Sequence, residues 1–239
     1  MNKKVVLFDL DGTLLSVDME VFTKRYLKML TDKMSDCGYE PNKLVESILA
    51  GTNEMMRNSG HKNNENVFWD AMKLIYGEDV EKDKNLFDAF YRNEFQSMKS
   101  SVCYKEKAVE MVRTLKQRGV RVVLATNPIF PAVATESRVR WAGFEPQEFE
   151  LITTYENCRF CKPNPNYYLD IAGKLDVRCE DCLMVGNDAT EDMAAAKAGM
   201  TVFLLNDFVV NRDKVDTSVF NQGGVDECMQ FIESFLNKE

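Results

Sequence analysis

The sequence predicts an α/β protein: a doubly wound, mostly parallel sheet, interrupted after its first strand by an all-helical insertion. Three observations lead there. Val5 to Leu10 is a short, continuous apolar run rich in β-branched residues, the texture of a strand buried on both faces. From about Val17 to Met98 apolar residues recur at helical spacing only. After Cys103 strand-like and helix-like segments alternate, which requires crossover connections and a sheet covered by helices on both faces.

Each element follows from its residues. The first strand runs into the turn Asp11-Gly12. The insertion carries its apolar stripes at Met19, Phe22, Tyr26 and Leu30, then Leu44, Ile48 and Met55, then Phe68, Met72 and Ile75, then Phe87, Phe90 and Phe95. Breakers separate them at Gly38 to Pro41, Asn58 to Gly60 and Gly77 to Asp79. Beyond it, a helix over 108–117 is stopped by Gly119 and precedes a strand over 120–126. A helix near 132–141, stopped by Gly143, precedes a strand near Leu151 to Thr154. A helix near 165–174 precedes a strand over 182–185, and a helix over 191–197, stopped by Gly199, precedes a strand over 201–205. A last helix spans 225–236. The expected division is an α/β core over 1–15 and 101–239, with the helical unit at 16–100.

Composition narrows the function. Asp plus Glu (38) exceed Lys plus Arg (30), so the net charge is −8, and a generic binder of nucleic acid or anionic membrane is not expected. The single histidine, His61, excludes a paired-histidine metal site. Seven cysteines, an odd number in a chain too long to need staples, point to reduced thiols and a cytoplasmic protein. The apolar run near the start is broken by Asp9, and no stretch reaches the ~18 apolar residues of a membrane span. Oligomeric state is expected to be monomer or weak dimer.

Ligands of open α/β sheets bind outside the carboxyl ends of the strands. The residues there are Asp9-Leu10-Asp11-Gly12-Thr13, Thr126-Asn127, Thr154 with Lys162 a short loop later, and Gly186-Asn187-Asp188 with Asp192. Acids, a hydroxyl, an amide and one lysine thus converge on one edge. Each has an ordinary reading alone, as a strand-end turn or a first-turn acid. Those ordinary readings would have to coincide at four strand ends.

Asp9-Leu10-Asp11-Gly12-Thr13-Leu14 resembles the first motif of the haloacid dehalogenase-like (HAD) superfamily of aspartate-nucleophile hydrolases. Ala125-Thr126-Asn127 resembles its second motif, Lys162-Pro163 its third, and Gly186 to Asp192, with Ala198-Gly199-Met200 behind it, its fourth. The resemblance implies a Rossmann-like core, a helical cap of the first type in place of the insertion, and a phosphatase that uses Mg²⁺. Asp9 would be nucleophile and metal ligand. Asp11 would protonate the leaving oxygen and activate water, its carbonyl binding the metal. Thr126 and Asn127 would hold phosphoryl oxygens, Lys162 would supply fixed charge, and Asp188 would complete the metal set with Asp192 in support. The acid after Gly186 is replaced by Asn187, and the Asp-x-x-x-Asp spacing selects Asp188 and Asp192 as the pair. The second aspartate, Asp11, favours a phosphatase over a dehalogenase, since an alkyl halide needs no protonated leaving group.

The chemistry agrees. Phosphate monoesters hydrolyse very slowly unaided, a carboxylate nucleophile divides the barrier into two steps, and oxygen ligands without Cys or His suit Mg²⁺. The expected substrate is a small phosphorylated metabolite. A phosphomutase that passes the group to a second hydroxyl is the alternative within this chemistry, and a phosphate-sensing module the alternative outside it. Cys158-x-x-Cys161 and Cys179-x-x-Cys182, seventeen residues apart, have zinc-site spacing, but the predicted topology puts the pairs on opposite sheet edges, so packed thiols are expected. The polar loop from Asn58 to Asn64 is a candidate to reach over the site, which makes Arg57, Asn58, His61 and Lys62 candidates for specificity. Lys24 and Lys28 are the lysines positioned for Schiff-base chemistry, with exposed helical lysines the default.

Overall fold

The computed structural model describes residues 4–238. Five parallel strands form the sheet: β1 (Val5–Phe8), β4 (Arg121–Leu124), β5 (Cys182–Gly186), β6 (Thr201–Leu205) and β7 (Asn221–Gly223), in the order β4-β1-β5-β6-β7. β1 lies between β4 and β5, with Phe8 level with Leu124 on one side and Val185 on the other. The chain therefore leaves β1 toward opposite sides, first to β4 and later to β5. That switch opens the crevice at the carboxyl ends of the three strands.

Strand alternation divides the core in two. Val6 and Phe8, with Val122, Leu124, Leu183, Val185, Phe203 and Leu205, face one side. That side is covered by α5 (Glu106–Gln117), α8 (Val225–Asn237) and the insertion. Val5 and Leu7, with Val123, Cys182, Met184, Val202 and Leu204, face the other, under α7 (Pro165–Lys174) and the 3₁₀ turns of Met193–Ala198. Both faces are buried, which is why these strands are unbroken apolar runs.

The insertion comprises α1 (Met19–Ser35), α2 (Pro41–Met56), α3 (Asn64–Tyr76) and α4 (Lys84–Arg92). Asp18 starts α1 by accepting from the amides of Glu20 and Val21, Glu40 starts α2 ahead of Pro41, and Asn63 starts α3. The insertion is tied to the rest by an antiparallel ribbon of β2 (Leu15–Val17) and β3 (Val102–Tyr104).

Three details differ from the sequence reading. Near Leu151 to Thr154 only one bridge forms, Leu124 to Ile152, because the chain then turns away and the Tyr155 amide donates to the Phe130 carbonyl. Residues 193–198 are 3₁₀ rather than α-helix. The three-residue strands β2, β3 and β7 had no apolar run to announce them; β7 is Asn-Gln-Gly.

Phe95, in the 3₁₀ segment Glu94–Ser101, locks insertion to core. Its ring packs on Phe22, Phe90 and Tyr91 of the insertion and 5.1 Å from Trp141 of α6 (Ala132–Trp141). Phe95→Ala is expected to lower unfolding free energy by about 3–5 kcal/mol, read from the urea midpoint at unchanged slope.

Candidate active site

Backbone register brings the strand ends together. The Asp9 amide donates to Val185 C=O (2.9 Å) and the Ala125 amide to Phe8 C=O (2.7 Å), so Asp9, Thr126 and Gly186 emerge side by side. Past Asp11, Gly12 turns the chain at φ +88, where a side chain would be strained, and a Cβ there would lie 2.2 Å from Asn187 Nδ2. The first loop and the loop after β5 thus pack backbone against side chain.

Lys162 is the centre of the site. Its side chain is 1% exposed, and Nζ donates to Asp9 Oδ1 (2.8 Å) and Asp192 Oδ1 (2.6 Å). Burial opposes its charge, but the carboxylates of Asp192 and Asp9 outweigh that and hold the amine well above its ordinary pKa. Asp192 Oδ2 accepts the Asp188 amide (2.9 Å). A Cβ at position 186 would meet that carboxylate at 2.1 Å, so the glycine is what lets Asp192 approach the strand end.

Asp188 Oδ1 accepts the amides of Thr190 and Glu191, both at 2.8 Å, which fixes the side chain at the cleft wall. Asn187 faces inward: Thr13 Oγ1 donates to its Oδ1 (3.0 Å) and its Nδ2 donates to Phe208 C=O (2.7 Å). Both ends of that amide are engaged in joining loops, and it lines the cleft beside Asp188. Thr126 lines the cleft while its carbonyl accepts from the hydroxyls of Thr153 and Tyr167. The Asn127 side chain ties the loops, accepting the Lys162 amide (3.2 Å) and donating to Glu191 Oε2 (3.1 Å).

Sequence reading missed two residues. Arg138, on α6, is 1% exposed and its Nη1 donates to Asp11 Oδ2 (2.5 Å). Glu191 lines the cleft, and burial pushes its carboxyl up to about 7. Arg138 shows no sequence signal, since it sits in mid-helix beside the exposed Arg140. Glu191 lies inside the fourth motif but carries none of its marked spacing.

The resulting cleft is lined by Asp9, Asp11, Thr126, Asn127, Asp188 and Arg138, among others, and its outer wall is the first turns of α1, from Met19 to Lys24. The loop from Asn58 to Asn64 does not reach it. His61 and Lys62 line a separate depression with Arg159 and Asp170, and Asn58 turns inward to donate to Lys62 C=O and Asn64 Oδ1. The loop is held there because the amides of Asn64 and Glu65 donate to the carbonyls of Cys158 and Tyr155. Arg57 is exposed beside Glu54. Lys24 lines the cleft but pairs with Glu20, and Lys28 pairs with Asp32 outside it.

The donor chemistry at the mouth suits a hard cation. Asp9 and Asp188 each have one oxygen committed to a fixed partner, and both line the cleft. Among the described residues no three acid, imidazole or thiol side chains gather as a metal cage. The cysteines are all free, and burial pushes the thiols of Cys158, Cys161 and Cys182 up to about 12, so they are packed rather than reactive.

Comparison with known proteins gives a family and a fold. The family of haloacid dehalogenase-like hydrolases matches residues 3–199. The chain is 25% identical over 239 residues to a glyceraldehyde 3-phosphate phosphatase of Methanothermobacter thermautotrophicus, covering 96% of this chain and 98% of that one. It is 28% identical over 206 residues to a phosphoglycolate phosphatase of Colwellia psychrerythraea, covering 82% and 81%. Its fold superposes on a HAD phosphatase from Thermococcus onnurineus with a TM-score of 0.57 at 20% identity, covering 96% and 97%.

Asp192→Ala removes one of two anions from a fully buried ammonium and leaves the Asp188 amide without an acceptor. A loss of about 3–5 kcal/mol in unfolding free energy is expected, measured by urea denaturation.

Proposed function

The chain belongs to the haloacid dehalogenase-like hydrolases and is an enzyme acting on phosphoric monoesters; from there we propose that it cleaves a small phosphorylated metabolite through an aspartyl-phosphate on Asp9, with Mg²⁺ as its metal. The observation that carries the reading is the meeting of Asp9, Asp11, Thr126 and Asp188 on one cleft beside a lysine already committed to Asp9.

Asp9 attacks phosphorus with the oxygen that Lys162 does not hold. The P–O bond to the leaving group breaks, and Asp11 delivers a proton to the departing oxygen. Asp11 then takes a proton from water as that water attacks the phosphorus of the aspartyl-phosphate, which releases phosphate and restores Asp9. The Thr126 hydroxyl and the Asn127 amide bind phosphoryl oxygens as charge develops there. Asp9, the Asp11 carbonyl and Asp188 would hold the Mg²⁺, which when bound supplies charge neutralisation for the incoming dianion. Asp192 holds the Asp188 amide and Lys162, so its role is support.

We place the division of labour at the ribbon of β2 and β3. Residues 16–100 act as a cap that covers the cleft with the first turns of α1 and excludes bulk water while the acyl-phosphate exists. The seven free cysteines suit a reducing compartment, the cytoplasm, and among the described residues no helix is long and apolar enough to cross a membrane.

Asp9→Asn keeps Lys162 paired with Asp192, so the fold is expected to survive while turnover of p-nitrophenyl phosphate collapses. Retention of activity within about tenfold of wild type would remove Asp9 as the nucleophile. EDTA is expected to abolish activity and added Mg²⁺ to restore it, assayed on the same substrate; turnover indifferent to chelation would remove the metal.

A further inference from the structure

Arg138 has no role in the reading above, yet it is among the most deeply buried charges of the molecule. Its guanidinium lies 4.6 Å over the Phe130 ring, and its Nη1 reaches Asp11 Oδ2 at 2.5 Å. Nε and Nη2 are buried without an acceptor among the described residues. A buried arginine with most of its donors idle is a poor source of stability, because desolvation of the guanidinium is offset by one ion pair alone. An apolar side chain of similar length would pack the same place at lower cost. The residue is therefore best understood through the one group it holds.

Among the described residues that group has no other ion pair. Lys162 spends its ammonium on Asp9 and Asp192. Each carboxylate of the first motif thus has a private partner, Lys162 for Asp9 and Arg138 for Asp11, delivered by different elements. By taking Oδ2, Arg138 fixes the Asp11 side chain and leaves Oδ1 as the oxygen able to carry a proton. The clamp is itself restrained. Phe130 covers the guanidinium and packs against Tyr26 of the insertion at 5.4 Å, and Tyr26 shares a 2.7 Å hydrogen bond with Tyr91.

We propose that Arg138 is a positioning residue that holds Asp11 in line for proton transfer to the leaving oxygen. This rests on the phosphatase reading, in which Asp11 is the acid. It predicts a dependence on the leaving group. A nitrophenolate leaves without much help, whereas an alkoxide needs its proton as the P–O bond breaks.

The test compares the single-turnover rate of leaving-group release, at enzyme in excess of substrate, and the half-saturating concentration, for wild type, Arg138→Met, Arg138→Lys and Asp11→Asn on p-nitrophenyl phosphate and on an alkyl phosphate; this rate excludes the later attack of water, which is common to both esters and also uses Asp11. Arg138→Met is expected to lower the rate of leaving-group release from the alkyl ester by about 10²-fold or more, the range of a general acid. The loss on the aryl ester should stay below about tenfold, with the half-saturating concentration little changed on either. Asp11→Asn should show the same selectivity, and Arg138→Met added to Asp11→Asn should cost little more, since both act on one step. Arg138→Lys keeps a cation without the planar fork; it should fold if Arg138→Met does not, and show the same selectivity at smaller amplitude. Equal losses on both esters, or losses that multiply in the double variant, would overturn the assignment while wild-type turnover stands. Turnover retained by Asp9→Asn would instead strike the phosphatase reading beneath it.

Discussion

The site depends on one buried ammonium. Lys162 lies between Asp9 and Asp192, and through Asp192 it also orders the loop that carries Asp188. In water this contact would be worth little, because exposed ion pairs are screened and mobile. Here the charge is enclosed, so neither carboxylate can drift without leaving an unpaired charge in a medium that penalises it. The three strand-end loops are therefore held by electrostatics and not only by the sheet. Gly186 is the steric condition for it, since any side chain there would strike the Asp192 carboxylate.

Much of this was legible in the sequence, and for physical reasons. β1, β5 and β6 are buried on both faces, so their residues had to be apolar without interruption, and the acids that end the runs stood out. Asp9, Asp11, Thr126, Asn127, Lys162, Asp188 and Asp192 were readable because strand ends of an open sheet are where side chains can converge. Position relative to a strand was the signal, and it holds whatever the identity of the intervening residues. The choice of Asp188 over Asn187 came from spacing; in the fold both line the cleft, and Asn187 also joins Thr13 to Phe208.

The rest was illegible because it depends on which helix face meets which loop. Arg138 is one residue in a helix that also carries Arg140, exposed beside Glu136 and Glu145; only the docking of α6 separates a buried clamp from a surface charge. The loop from Asn58 to Asn64 looked free to cover the site because its sequence is polar. Its backbone is instead spent on the carbonyls of Tyr155 and Cys158, and the outer wall of the cleft falls to the start of α1. The short strands β2 and β3 gave no periodic signal at three residues each, although they are the covalent path between insertion and core.

Charge at the cleft explains why the parts are arranged as they are. Five carboxylates line its inner wall, those of Asp9, Asp11, Asp188, Glu191 and Asp192; the two buried cations facing them are Lys162 and Arg138, and Glu20, Lys24 and Arg212 line the cleft further out. Lys162 and Arg138 are turned toward the carboxylates, so they steady the wall without cancelling it. A phosphate dianion approaching such a wall meets net repulsion at close range, where the local dielectric is low. The carboxylates cannot simply be dispensed with, since one is the nucleophile and another moves the proton. In the proposed reaction the bound metal would bring further positive charge to the anion at the open oxygens of Asp9 and Asp188.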